Sequence, residues 1–170
     1  MACIGLLGAV ILFLSSCVAT SADTGVEKQY EPINGAWLEE NLDDVTLELY
    51  YMSPNILTRT PLSEDDLMRT NELHITARGG TIWAHKDLIS QMLDTSITPV
   101  DNPDEVYLNA RVYYTLCDKD GKTRFKVAIG GLDTVFVNGV PCVDDPIFYA
   151  VPMEFLPTDI VAEFRAFYEV

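Results

Sequence analysis

Basic side chains and histidine are scarce in this 170-residue sequence, which has 11 Lys+Arg and two His against 26 Asp+Glu. The formal net charge is −15. So few cationic groups argue against nucleic-acid binding, which requires Lys and Arg at the phosphates, and against docking on anionic lipid through a basic face. An apolar fraction of 48% excludes a disordered tail. The length predicts one domain with a substantial core.

Motifs that would identify an enzyme or a cofactor site are also missing. The sequence contains no GxSxG, GxGxxG, P-loop or CxxC. His74 and His85 are available as general bases, but no motif pairs either with a nucleophile. Residues 118–121 resemble half of a calcium loop, yet Val127 stands where the bidentate Glu belongs, so a hairpin turn is the better interpretation. We expect no enzymatic activity, metal or cofactor, with a hydrolase of unrecognised site as an alternative.

Charge is wholly absent from residues 1–22. Residues 4–14 are apolar apart from two glycines; a run of about 11 residues is too short to span a membrane, which takes roughly 20, and fits the apolar region of a secretory signal. Residues 1–3 lack the usual Lys or Arg, which is a departure from that pattern. Thr20-Ser21-Ala22 fits one cleavage site, after Ala22.

A second cleavage site is indicated by Leu14-Ser15-Ser16-Cys17, which resembles the lipobox of bacterial lipoproteins. The resemblance implies cleavage before Cys17, lipidation of Cys17, and a periplasmic location with a lipid anchor in the outer membrane. We therefore expect a signal peptide over residues 1–22, a polar tether over 23–33 and a single globular domain over 34–170. The globular part resembles no family.

Four cysteines are present, and both cleavage sites leave the same two, Cys117 and Cys142, for pairing in the mature chain. Under the lipobox interpretation Cys17 carries lipid and no thiol is left over. In an oxidising compartment these two would form a disulfide. It would close a loop of about 25 residues and contribute roughly 3 kcal/mol. The alternative is two unpaired thiols in a cytosolic protein.

Alternation of apolar and polar residues predicts a sheet. Residues 45–51 and 73–77 alternate cleanly, and residues 106–116 form the longest alternating segment. Asn138-Gly139 is a strong two-residue hairpin signal. The result is an antiparallel meander over about 105–142. Gly79-Gly80 predicts a tight turn, with a short strand returning over 81–83.

Helices are predicted from caps and from apolar stripes. Ser63 and Asp66 have the spacing of a capping box, Leu62 and Leu67 that of a hydrophobic staple, and this helix should end near Thr70. Residues 86–93 are predicted to form a second helix. A C-terminal helix carries an apolar stripe of Ile160, Phe164, Phe167 and Tyr168. The predicted fold class is α+β, with the antiparallel sheet packed against two or three short helices that include the C-terminal one.

Acidic clusters and exposed aromatic residues are the remaining functional signals. The acids at 64–66 are explained by the start of a helix, whereas those on loops could face a basic protein partner. Tyrosines on the polar face of the 106–116 strand are candidate hot spots, unless a second layer covers them. The candidate partner-binding residues are Tyr107, Tyr113, Asp101, Asp104, Glu105, Asp144 and Asp145.

These signals predict an exported, lipid-anchored, non-enzymatic protein that inhibits or sequesters a protein partner. Its size, charge and lipobox are similar in general character to those of immunity lipoproteins, which neutralise basic toxins or cell-wall-cleaving enzymes. The proposed mechanism is occlusion of the partner by acidic loops and surface aromatics. The alternative is a structural or assembly subunit of the cell envelope that pairs through a sheet edge.

Overall fold

The structure is a computed structural model that describes residues 32–131 and 135–170. The predicted signal peptide, both cleavage sites, the lipidation site Cys17 and tether residues 23–31 lie outside the described residues. Ile33, the last residue of the predicted tether, is only 8% exposed and belongs to the main core. The packed part of the chain therefore includes Ile33.

Six strands and six α-helices make up the described chain. The strands are β1 Thr46–Tyr51, β2 Leu73–Arg78, β3 Val112–Cys117, β4 Thr123–Ile129, β5 Val135–Val137 and β6 Val140–Cys142. The helices are α1 Gly35–Asn41, α2 Glu64–Thr70, α3 Gly80–Ala84, α4 Lys86–Asp94, α5 Ile147–Met153 and α6 Thr158–Tyr168, with a 3-10 helix at Pro103–Glu105.

All six strands form one antiparallel sheet in the order β2-β1-β3-β4-β5-β6. The predicted α+β class and the meander of β3 to β6 are confirmed, and β1 and β2 extend the sheet beyond it. The segment before Val112 is not part of β3, contrary to the predicted 106–116 strand. It pairs instead with the loop before α2, since the Ala110 amide donates to the Leu62 carbonyl at 2.8 Å.

One face of the sheet, called here the helix face, carries the main core. Strand alternation places Leu47, Leu49 and Tyr51 of β1 on this face, and all three are at most 2% exposed. The predicted stripe of α6 packs here too, with Phe164 fully buried. The predicted strand over 81–83 is wrong: Gly79 has φ +51°, a conformation that suits glycine, and the chain turns into α3.

The opposite face of the sheet is covered at one end by α2. The predicted capping box is present: the Ser63 hydroxyl accepts from the Asp66 amide at 3.1 Å, and the Asp66 carboxylate accepts from the Ser63 amide at 3.2 Å. Leu62 and Leu67 enter a small second core with Tyr113 and its neighbours. Because α2 has only seven residues, it covers only part of this face.

A buried arginine fixes the loop that leads from β1 to α2. Arg111 is 6% exposed, and its guanidinium donates to the Ile56 carbonyl at 3.1 Å and to the Thr58 hydroxyl at 3.5 Å. The loop tip, Leu57, is 96% exposed. Arg111 thus holds a surface loop from beneath and leaves its tip in solvent.

The predicted disulfide is not formed, because Cys117 and Cys142 are free cysteines far apart in the sheet. Cys117 ends β3, and β4 and β5 separate β3 from β6. Cys142 pairs with Val135, which pairs with Ile129, which faces Val112 at the other end of β3. Strand spacings of about 4.8 Å and a rise of about 3.4 Å per residue separate the two cysteines by roughly 20 Å. A disulfide needs Cα atoms about 4.4–6.8 Å apart, so the prediction is wrong for this fold.

Candidate functional site

The part of the sheet that α2 leaves uncovered is the candidate site, called here the open face. Its floor consists of polar side chains that β1, β2 and β3 direct away from the helix face, and its members are Thr46, Glu48, Tyr50, His74, Thr76, Arg78, Thr115 and Cys117. Two depressions adjoin on it, of about 540 and 710 Å³, and both are lined by Glu48, Tyr50 and Cys117. The shared lining makes them one continuous concave surface.

Glu48 lies at the centre of the open face. Its Oε2 contacts His74 Nε2 at 2.6 Å and accepts a hydrogen bond from the Thr76 hydroxyl at 2.7 Å. The strand register explains this cluster, since Glu48 faces Thr76 directly and lies diagonally from His74. Both contacts use the same carboxylate oxygen, Oε2. The carboxylate is thus oriented by two neighbours on β2.

A row of three aromatic rings lies beside Glu48: His74 and Tyr50 belong to the open face, and Tyr113 lies beneath α2 at 6% exposure. Tyr50 stacks on His74, with ring centroids 4.3 Å apart and an interplanar angle of 5°, and on Tyr113 at 6.1 Å. These three residues stand opposite one another on β2, β1 and β3. Burial raises the pKa of Tyr50, and the neighbouring Glu48 carboxylate and Cys117 side chain raise it further, so its hydroxyl stays a neutral donor at physiological pH.

Cys117 supplies the sulfur of the open face. Its Sγ lies 3.6 Å from the Thr115 hydroxyl and 3.8 Å from the Thr123 hydroxyl, and the residue is half-buried. The other thiol, that of Cys142, lies on the helix face, where burial raises its pKa. Only the first of these thiols therefore adjoins the two depressions.

Acidic side chains predominate around the two depressions. Of the described residues, six carboxylates and three cationic side chains line them: Asp43, Asp44, Glu48, Glu64, Asp65 and Asp118, against Arg78, Lys119 and Lys126. Lys126 Nζ lies 2.5 Å from Glu64 Oε2 and ties β4 to α2. Asp118 Oδ2 lies 3.7 Å from Arg124 Nη1. The surface is therefore net acidic even where internal ion pairs neutralise part of its charge.

The predicted binding residues do not come together in one place. Tyr113 is 6% exposed beneath α2, so its prediction as a surface hot spot is wrong. The helix α2 is the second layer that the sequence analysis named as the alternative. Tyr107 is 81% exposed, on the loop before β3. The predicted acids belong to two loop segments: Asp101, Asp104 and Glu105 follow the residues that contact β6, and Asp144 and Asp145 follow β6 itself.

Those two loops are joined by backbone hydrogen bonds. The Val143 amide donates to the Thr98 carbonyl at 2.8 Å, and the Val100 amide donates to the Pro141 carbonyl at 3.2 Å. Asp145 also has a structural role, since its Oδ1 accepts from the Ile147 amide at 2.9 Å at the start of α5. The acidic loops therefore form a second surface, at the sheet edge opposite β2.

The two histidines occupy different sites. His74 belongs to the open face, whereas His85 lies between α3 and α4, with Nδ1 3.5 Å from Glu154 and its ring edge-on to Phe155. In the described part of the chain neither imidazole is hydrogen-bonded to a Ser, Thr or Cys side chain. Within the same ranges no group of three or more His, Cys, Asp or Glu is arranged to hold a metal ion.

None of the described helices combines the length and the apolar character needed to cross a membrane.

Comparison with protein-family models, with curated proteins and with solved structures gives no significant match. The site is thus defined by its own geometry.

Sequence reasoning did not single out Glu48, Tyr50 or Thr76 as site residues. The signal that could have found them is the alternation in residues 45–51 and 73–77, which assigns all three to the polar side of adjacent strands. What the alternation leaves open is the order of the strands, and that order brings Glu48 to the centre.

Proposed function

We propose that this protein is an exported, lipid-anchored binding protein that sequesters or inhibits a protein partner, and that it holds the partner on the open face. The observation that carries the proposal is the incomplete covering of the sheet. A polar, concave surface with Tyr50 stacked on His74 remains where a second layer would otherwise pack. Aromatic side chains at the centre of a depression are typical of binding hot spots.

Charge supports a basic partner. The chain carries −15, six carboxylates line the depressions, and a further acidic surface lies at the β6 edge. Complementary charge speeds encounter and fixes the register of a complex. In this mechanism the acidic loops attract the partner and the open face covers its functional surface, so no cofactor and no reaction are required.

Export and anchoring rest on the N-terminal sequence. The lipobox-like Leu14-Ser15-Ser16-Cys17 follows an uncharged apolar run, and lipid on Cys17 would keep the domain at the outer membrane, facing the periplasm. A tethered inhibitor of this kind meets its partner at the envelope.

Capture from an envelope extract tests the binding surface. The full chain and a Thr46→Arg variant are immobilised, since Thr46 lines the first depression and an added guanidinium would repel a basic partner. The matched control is Thr81→Arg, at an exposed position of α3 outside both depressions. We expect one stoichiometric partner that is captured by the wild type and by Thr81→Arg, is lost with Thr46→Arg, and declines as salt is raised. Equal capture by both variants would refute the open face as the binding surface.

A structural or assembly subunit of the envelope is the second candidate, and the unpaired outer edge of β2 favours it. Pairing through backbone hydrogen bonds resists salt, unlike a contact governed by charge. A capture that persists at high salt and is indifferent to Thr46→Arg would favour this candidate.

A further inference from the structure

The two edges of the sheet are treated differently by the chain. At the β6 edge the segment around Pro99 bridges to Cys142, and β6 itself contains Pro141. Both devices protect a sheet edge against further pairing. At the other edge, β2 has six residues without Gly or Pro and pairs with β1 in an unbroken register. Among the described residues no strand pairs with the outer side of β2.

Burial along β2 also indicates a missing neighbour. On the helix face of β1, Leu49 and Tyr51 are at most 2% exposed. Their direct partners on β2, Ile75 and Leu73, are only half-buried although they face the same core. A further strand beside β2 would cover these two apolar side chains.

The side chains along the outer edge of β2 are complementary to those of a second, antiparallel copy of β2. If a second copy lies antiparallel with its Ile75 opposite Ile75, then Leu73 faces Ala77 and His74 faces Thr76. The same register sets Glu72 opposite Arg78 twice, once on each side of the symmetry axis. Glu72 and Arg78 are both exposed, and opposite charges directly across a strand pair are stabilising.

The register about Ile75 sets Glu72 opposite Arg78, which is the fully charged pair that this edge can form with itself. Pairing about Thr76 sets Arg78 against His74, with no carboxylate between them. The charge pattern therefore selects the register about Ile75, and a second copy satisfies it without any other protein. Such a contact is isologous, which is the usual arrangement of a twofold dimer.

We propose that the outer edge of β2 binds β2 of a second copy of this chain, which joins the two sheets into one continuous sheet of twelve strands. In this joined sheet, β2 of each copy covers the half-buried Ile75 and Leu73 of the other copy. The open faces of both copies lie on the same side of the joined sheet, so their first depressions, each lined by His74 and Arg78, adjoin across the axis.

Sedimentation velocity on the full chain tests this dimer. The wild type should sediment with twice the 18.9 kDa monomer mass. Ile75→Lys, which brings two ammonium groups together at the axis, should be monomeric. Glu72→Arg and Arg78→Glu should each weaken the dimer about ten- to a hundred-fold, since each replaces two attractive pairs by two repulsive ones.

Mixing the two charge variants is the decisive test of this dimer. Glu72→Arg and Arg78→Glu are each self-repulsive, but in the mixture both cross-pairs are attractive, so a dimer of wild-type affinity should return. Glu72 also accepts a hydrogen bond from the Ser53 amide at 2.8 Å, so thermal unfolding of each variant checks that it is folded. Glu40→Arg, at an exposed position of α1, should leave the dimer unchanged. A monomeric wild type, or a mixture that stays monomeric while both variants are folded, would overturn the proposal.

Discussion

Replacing Leu67 by alanine should release α2 from the sheet more than any other single truncation in that helix. Leu67 is fully buried and packs in the second core with Leu62, Tyr113 and three smaller or flexible neighbours. Buried Leu→Ala substitutions cost about 2–5 kcal/mol, depending on how far the site collapses. Because this core is small and covered by one short helix, it can relax, and we expect about 2–3 kcal/mol.

Urea unfolding followed by far-UV circular dichroism measures this loss. With a slope of about 2 kcal/mol per molar urea, the midpoint should fall by about 1–1.5 M. Met68→Ala is the matched control, since Met68 is the next residue of the helix and is 37% exposed; its effect should stay below about 1 kcal/mol. Midpoints that fall equally in the two variants would refute the packing of α2 on this face.

Other predictions concern the cap, the thiols and the anchor. Ser63→Ala removes the hydrogen bond from the Asp66 amide and should cost about 1 kcal/mol in urea unfolding. The Ser63 hydroxyl, with Arg69, lowers the pKa of Asp66. The stabilisation of the folded state that comes with this lowered pKa is present above the unfolded carboxyl pKa of about 3.9 and is lost as pH falls through the folded pKa. The cost of Ser63→Ala should therefore shrink in acid. In folded protein a maleimide should modify Cys117 and spare the buried Cys142, as peptide mass spectrometry would show; modification of both at equal rates would contradict the burial. Labelling of cells with a fatty-acid probe should disappear in Cys17→Ala, and undiminished labelling would refute the lipobox.

Local patterns in the sequence were sufficient for several elements of the fold. The alternation around Leu47 and the capping box of Ser63 and Asp66 each involve residues less than a strand length apart, and both features are present. The α3 region was mispredicted because Gly79 suits a tight turn as well as a helix start. The burial of Ile82 in the main core, which the sequence does not specify, accompanies the helix.

The candidate site was less accessible to sequence reasoning, since it depends on strand order. Tyr113 lies on the side of β3 opposite to the main core, as its position in the alternation indicates, but α2 covers it through a contact between Leu67 and residues more than 40 positions away. The disulfide prediction failed for the same reason: counting thiols leaves Cys117 and Cys142 as a pair, whereas the register separates them. Glu48 becomes central only when β1 lies between β2 and β3.

The most direct test of the proposed binding surface is calorimetric titration of the captured partner against Glu48→Lys and Glu40→Lys. The two variants change net charge equally, but Glu48 lies at the centre of the open face and Glu40 on exposed α1. We predict that Glu48→Lys weakens binding at least about a hundred-fold, as loss of a central hot spot does, and that Glu40→Lys changes it less than about threefold. Equal affinities for the two variants would contradict the account.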